Sequence, residues 1–311
     1  MKMLVSRYPV GTFILLTLGY QLTLVLVTKW LIGGVGDMHD HPNAHMVFRF
    51  RVFGPLFFAV AITAWLEGRE GLSRLFGGYF NWRVPARWYA LAFTWKFIVA
   101  YVGIAFVALI GLRPWPGFFV EQNFFWSLMK SMPFIVGIAL VEETSWMKFG
   151  VTRMQERYPA WLSCLVMGLS WGLWYLPMIF IGEGVPDGVP WPVFLVSMFS
   201  LTVLLSWTYN ETHSGLVLLI MQILSNCAFF MVPILPSGPG LDPMYVVAFV
   251  CAFLLVAGAI LWYAGPEHLS TTGKRATWSM SKGVLAVLDT TSAPLAAEVV
   301  PTPKRTRTPY H

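Results

Sequence analysis

Residues 132–149 read MPFIVGIALVEETSWMKF, so that two adjacent acids, Glu142 and Glu143, follow a run of apolar residues. A carboxylate at membrane depth is costly and rare, and it usually faces the interior of a helix bundle and takes part in function. Neighbouring helical positions are about 100° apart, so both acids can point into one interior cleft. The alternative is that both lie at the cytoplasmic mouth of the helix and are solvated there.

The composition is that of a membrane protein. The chain has 311 residues, of which 57% are hydrophobic and only 12% are charged, and soluble domains have about twice that charged share. Eight stretches approach the length of about 20 apolar residues that one crossing needs. They lie near residues 10–32, 52–67, 87–112, 132–148, 160–181, 191–209, 214–232 and 243–264. We therefore predict an all-α fold, a polytopic membrane helix bundle of about eight transmembrane helices with interfacial helices.

The spans divide the chain into four segments. Residues 1–127 contain three N-terminal spans and an interfacial segment, residues 128–232 a four-helix core, and residues 233–264 the last span. Residues 265–311 are rich in serine, threonine, proline and basic residues. Too few of them are apolar to form a core, so we predict a flexible cytoplasmic tail.

Two segments, residues 70–87 and 148–157, combine aromatic and apolar residues with basic ones. Aromatic rings prefer the headgroup region of a bilayer, and arginines approach lipid phosphates. We therefore expect both segments at the membrane interface, with Lys148 directed towards it.

The basic residues are distributed unevenly between the two sides of an eight-span arrangement. Most fall on one side, in the N-terminus, between spans two and three, after span four and in the tail. The exceptions are Arg49, Arg51, Arg113 and Lys130 on the other side, and Lys29 and Lys96 within spans. By the positive-inside rule both termini are cytoplasmic. The net charge of +6 is then explained by the inner leaflet of a bacterial-type plasma membrane, and no nucleic-acid partner is predicted.

Two polar features outside the acidic pair have alternative interpretations. His39, His41 and His45 form a cluster in the first external loop whose imidazoles could converge on a cation, although a solvated polar loop is favoured. Lys96 lies roughly 13 Å inside span three, and it either snorkels to the interface or pairs with an acid. The sequence predicts no cofactor, metal site or disulfide framework.

Three ordered motifs resemble the CPBP family, which comprises the CAAX prenyl endopeptidases and the bacteriocin-processing and immunity proteins. The first is Glu142-Glu143-x3-Met147-Lys148-Phe149, the second Ser170-Trp171-x2-Trp174-Tyr175-Leu176-Pro177, and the third Gln222-x3-Asn226. The similarity extends from about Glu70 to Met231 and places the family core in residues 128–232. It implies an intramembrane endopeptidase that hydrolyses a membrane-anchored or C-terminal peptide, with a glutamate and a histidine activating water and the third motif stabilising the oxyanion.

The family's patterns are Glu-Glu-x3-Arg, Phe-x3-His and His-x3-Asn, and this sequence matches them only in part. The positions of the arginine and the two histidines hold Met147, Tyr175 and Gln222. The candidate catalytic residues implied by the resemblance are therefore Glu142, Glu143, Tyr175, Gln222 and Asn226.

These replacements favour an enzyme with reduced or lost activity. Tyrosine, with an ordinary pKa near 10, is a poor base at neutral pH, and loss of a positioned general base costs ~10²–10⁴-fold in rate. One alternative is a non-catalytic membrane scaffold that binds a peptide or partner in the same cleft. A small-solute transporter is less favoured, because the spans show no inverted repeat. Since Met147 removes the family's cation, we expect Lys96 to face the Glu142–Glu143 pair as its replacement.

Overall fold

The computed structural model describes residues 2–33, 40–118, 123–183, 189–234, 242–284 and 286–287. Within these ranges every regular element is helical. The α-helices are α1 (Lys2–Arg7), α2 (Pro9–Ile32), α3 (Pro42–Phe50), α4 (Gly54–Gly77), α5 (Ala86–Leu109), α6 (Phe124–Glu142), α7 (Thr152–Met154), α8 (Ala160–Tyr175), α9 (Trp191–Thr212), α10 (Gly215–Ala228) and α11 (Pro243–Ala264). Short 3₁₀ turns lie at Arg51–Phe53, Gly78–Phe80 and Leu176–Ile181, and a π-helix lies at Glu143–Val151.

Seven of the described helical segments are long and apolar enough to cross a membrane. They are Pro9–Ile32, Pro42–Phe80, Ala86–Leu109, Phe124–Met154, Ala160–Ile181, Trp191–Thr212 and Pro243–Ala264. The remaining predicted span, residues 214–232, corresponds to α10, which has 14 residues and is about 21 Å long, shorter than a hydrocarbon core of about 30 Å. The predicted all-α, polytopic membrane bundle is confirmed.

The start of α2 lies at one end of the bundle, together with the start of α8 and the segment that follows α11. The Arg157 guanidinium donates to the Arg7 carbonyl (3.4 Å), and the Ala160 N–H donates to the Glu267 carbonyl (2.9 Å). The side chains of Arg74, Arg153 and Arg275 lie at this end as well, and we call it the basic end.

The opposite end joins the segment after α5 to the start of α11. The Arg113 side chain forms an ion pair with Asp242, and the Tyr245 hydroxyl donates to the Pro114 carbonyl (2.8 Å). Asp242 caps α11 by accepting from the Met244 N–H (2.9 Å). This backbone hydrogen bond, with a smaller contribution from Arg113, lowers the pKa of the Asp242 carboxyl below its usual value.

Helix α4 is divided by a break at Gly68, whose φ of 61° lies in a region that glycine adopts without steric cost. The break falls next to residue 67, where the sequence predicts the second span to end. The part before Gly68 belongs to the bundle. The part after Gly68 lies against the π-helix that begins at Glu143, where the Arg74 carbonyl accepts from Lys148 (3.2 Å).

The segment after α11 differs from the prediction. Residues 265–284, which we call the C-terminal strap, pack across the basic end, with Leu269 and Trp278 buried. The Trp278 indole N–H donates to Glu67 (2.9 Å), and the Arg153 guanidinium stacks on the Trp278 ring at 3.8 Å. The strap therefore makes packing contacts in a segment for which the sequence predicts a flexible tail. The average composition of this segment is polar, so it gives no indication of the few side chains that anchor it. The tail beyond residue 287 lies outside the described residues.

Candidate active site

The acidic pair lies at the point where α6 changes into a π-helix. Every residue of Glu143–Val151 is buried, and π-type turns are frequent at functional sites. Met147, at the family's arginine position, lies in the apolar core. Lys148 is also buried, and its ammonium donates to the Arg74 carbonyl (3.2 Å). The prediction that Lys148 points to the interface is therefore wrong, because it assumed a regular α-helix and an uncovered face.

Glu142 accepts hydrogen bonds on both carboxylate oxygens. The Tyr175 hydroxyl donates to one oxygen, and Gln222 Nε2 donates to the other at 2.7 Å. Helix α8 ends at Tyr175 and a 3₁₀ turn with Pro177 follows it. A count of about 1.5 Å per helical residue from the cytoplasmic surface places Tyr175 deeper in the membrane than Glu143. In the structure the side chains of Tyr175 and Glu142 are nevertheless in contact. The structure thus brings residues from α6, α8 and α10 together around one carboxylate.

Asn226 lies one turn after Gln222 on α10. Its Nδ2 donates to the Gln222 carbonyl (3.0 Å), so the amide supports the helix that carries Gln222. Both residues line the same cavity. The third predicted motif is therefore assembled at the site.

Glu143 is fully buried, with an exposed fraction of 0%. Neither of its oxygens has a hydrogen-bond partner among the residues that the structure describes. It lies in electrostatic range of Tyr79, whose hydroxyl is hydrogen bonded to Thr144 (2.7 Å). The two adjacent acids are thus in different environments, one held by two donors and the other without any.

Lys96 is buried near this site but does not form the predicted pair. Its ammonium donates to Ser225 Oγ (2.9 Å) and stands 3.3 Å from the centre of the Phe229 ring. Within the described residues no carboxylate lies within the 4 Å limit of an ion pair with Lys96. Glu142 attracts it only at longer range.

The cation that sequence reasoning missed is Arg51. It is buried between the rings of Phe48 and Trp174, with its guanidinium 4.2 Å and 5.3 Å from their centres, and it interacts electrostatically with Glu142 and Tyr175. The sequence assigns Arg51 only to the sparsely basic outer side. Its place directly before the second span was the available signal, because an arginine there can reach into the bundle.

A cavity of about 470 Å³ lies beside the cluster of Glu142, Tyr175 and Gln222. Tyr175, Gln222 and Asn226 contribute to its wall, and so do Lys96 and Ser225. Neither Glu142 nor Glu143 is among the described residues that line it. Tyr175 and Gln222 therefore separate the Glu142 carboxylate from the cavity.

The histidine cluster of the first external loop is described only in part. His39 lies outside the described residues, and His45 Nε2 accepts from Arg49 Nε (3.2 Å). In the part of the chain that the structure describes, no three His, Cys, Asp or Glu side chains are grouped closely enough to hold a metal ion.

Comparison with protein families identifies one match. Residues 124–228 match the model of the type II CAAX prenyl endopeptidase Rce1-like family, so this segment carries a domain of that family. All five candidate site residues lie within the match, whereas the resemblance expected from Glu70 onwards begins in this comparison at Phe124. No curated protein matches the chain.

Proposed function

We propose that the Rce1-like domain at residues 124–228 is an intramembrane endopeptidase scaffold whose peptidase activity is greatly reduced or lost. The observation that carries this proposal is the bonding of Glu142, whose two oxygens accept from Tyr175 and Gln222. These donors occupy the two positions at which the family's patterns have histidines. The residue at the water-activating position, Tyr175, and the residue at the oxyanion position, Gln222, instead both hold the glutamate.

The chemistry of the replacements supports the same proposal. A general base must reach the proton of the attacking water, and Glu142 is covered on the side of the cavity by Tyr175 and Gln222. Neither replacement supplies a base near neutral pH. Gln222 Nε2, the donor that remains for an oxyanion, is bonded to Glu142. Because catalytic residues act as a unit, the losses are not simply additive.

A second function is favoured by the cavity next to the site. A volume of about 470 Å³ is within the range of small-molecule sites in proteins, roughly 300–1,000 Å³. A chain that has lost hydrolysis can still bind a membrane-embedded ligand there and act as a scaffold.

In this proposal the basic end faces the cytoplasm, in keeping with the positive-inside rule.

Peptide turnover tests the proposal directly. Purified protein in nanodiscs is incubated with a panel of membrane-tethered peptides, and cleavage is followed by mass spectrometry for wild type and Glu142→Ala. We expect both proteins to give the same background rate. The triple variant Met147→Arg, Tyr175→His and Gln222→His restores the family's patterns and is expected to gain activity.

The control is the same triple variant carrying Glu142→Ala, which should remain at background. Ordinary turnover by wild type that Glu142→Ala abolishes would show an active peptidase and overturn the proposal.

A further inference from the structure

Lys96 is a buried cation whose role neither the family's patterns nor the Glu142 cluster explains. Its exposed fraction is 5%, and its bonding partner, Ser225, is neutral. Burying an ammonium without a counter-charge is costly, and such cations are normally paired or used in function. Lys96 also lines the cavity, so an anion bound there could supply the missing charge.

Several polar groups share the cavity wall with Lys96. Ser225 accepts its hydrogen bond, and Asn226 follows Ser225 on α10. Trp95 lines the same wall, its ring is 5.9 Å from the Lys96 ammonium, and its indole N–H is buried without a partner among the described residues. Lys96 and Trp95 therefore offer two hydrogen-bond donors to an anionic group.

The remainder of the lining is mainly hydrocarbon and aromatic. Helix α11 contributes Val246, Phe249, Val250 and Phe253, and α6 contributes Phe134 and Ile138. Glu183 is the carboxylate in the described lining.

The lipid phase has a route to this cavity along α6. Phe134 lines the cavity and is 48% exposed, so its ring belongs both to the cavity wall and to the outer surface of α6. Because α6 is one of the apolar membrane-length segments, we expect its exposed side chains to contact lipid chains. An amphipathic molecule can therefore enter sideways without crossing either end of the bundle.

We propose that the cavity binds a long-chain fatty acid, with its carboxylate on Lys96 and its chain against α6 and α11. One ammonium balances one carboxylate, whereas a phosphate monoester would bring a charge of about −2 near neutral pH. An extended peptide would place a donor and an acceptor per residue against apolar walls, where unsatisfied polar groups are costly. This inference rests on the proposed function only in taking the cavity as a ligand site.

Binding of radiolabelled oleic acid tests the proposal. The full chain is reconstituted in phosphatidylcholine nanodiscs, and protein-free nanodiscs give the background. We expect saturable binding to wild type and an affinity about 10- to 100-fold weaker for Lys96→Met, which removes a charge-assisted hydrogen bond. Lys96→Arg should retain most of the affinity. Lys29→Met, which changes an exposed lysine on α2, away from the cavity lining, is the matched control and should bind as wild type does.

Competing ligands distinguish the contribution of the carboxylate to binding from that of the hydrocarbon chain. Oleyl alcohol has the same chain without the acid and should compete poorly. If Lys96→Met does not fold, Leu201→Trp, which fills the cavity and keeps Lys96, should abolish binding instead.

Equal competition by oleic acid and oleyl alcohol would overturn the proposal, as would unchanged binding by folded Lys96→Met. So would the absence of oleic acid binding together with capture of an apolar peptide that has a free C-terminus but not of its amide, because the ligand would then be a peptide. Peptide turnover by wild type would contradict only the proposed loss of activity.

Discussion

At the scale of single residues, the acidic pair shows how little sequence adjacency says about environment. Glu142 accepts from two side chains, whereas neither oxygen of Glu143 has a partner among the described residues. A buried polar group without a partner lowers stability and is usually retained for a functional reason. The hydrogen bonds of Glu142 therefore contribute to stability, whereas Glu143 makes no such contribution with the described residues.

We expect Glu142→Gln to destabilise the protein and Glu143→Gln to leave its stability nearly unchanged. The new amide at position 142 would face the donating amide of Gln222, and loss of a buried hydrogen bond with its partner left unsatisfied costs about 1–3 kcal/mol. No hydrogen bond with a described residue is lost at position 143. Thermal unfolding of both variants in one detergent measures the difference, and equal destabilisation by the two would contradict it.

The candidate site was partly predictable from these residues. Tyr175 and Gln222 were assigned by the resemblance to the family's motifs, and the structure brings both to Glu142. Lys96 and Arg51 were not resolved, because a basic residue near a membrane span can turn to the interface or inwards. That choice depends on helices distant in sequence, such as α8 with Trp174.

At the scale of elements, the helices were predictable and their irregular parts were not. Apolar runs of membrane length give the approximate bounds of α2, α5, α9 and α11, because the bilayer fixes the length of a span. The π-helix at Glu143–Val151 leaves no such trace in hydropathy. Within it Lys148 is buried and donates to the Arg74 carbonyl of α4, a contact that the interfacial character of residues 148–157 does not predict.

The packing of the strap could not be predicted from local sequence either, because the strap is held by contacts with residues that are distant in sequence. Residues 282–284 pack against the end of α4, where the Val284 N–H donates to Ser73 Oγ (2.9 Å). A Cβ at Gly77 would meet the backbone carbonyl of Lys282 and would lie 2.9 Å from the carbonyl carbon of Gly283. Only a residue without a side chain lets the two backbones approach this closely.

Gly77→Ala should therefore release the strap from α4. We expect faster trypsin cleavage at Lys274, Arg275 and Lys282 in the variant than in wild type, because the displaced backbone becomes accessible. Gly137→Ala is the matched control, since a Cβ at that helical position meets nothing within 4 Å. Identical digestion of the two variants would show that the strap tolerates the added methyl group.

At the scale of the whole molecule, α10 decides how many times the chain crosses the bilayer. It begins at the basic end, against the turn Gly78–Phe80. By Asp242 the chain is at the opposite end, paired with Arg113. Although α10 is shorter than a complete span, the chain is therefore at the basic end at Gly215 and at the opposite end at Asp242.

We therefore expect eight crossings with both termini on the cytoplasmic side. Arg7 contacts Arg157, just before α8, and Glu267 contacts Ala160 at the start of α8, which only an even number of crossings allows. Reporter proteins fused at the N-terminus, after residue 213 and at the C-terminus should all indicate the cytoplasm, and a reporter after residue 183 should indicate the other side. If the reporters after residues 183 and 213 agree, α9 does not cross. If those after residue 213 and at the C-terminus differ, α10 re-enters on the side where it began and the eight-crossing arrangement is wrong.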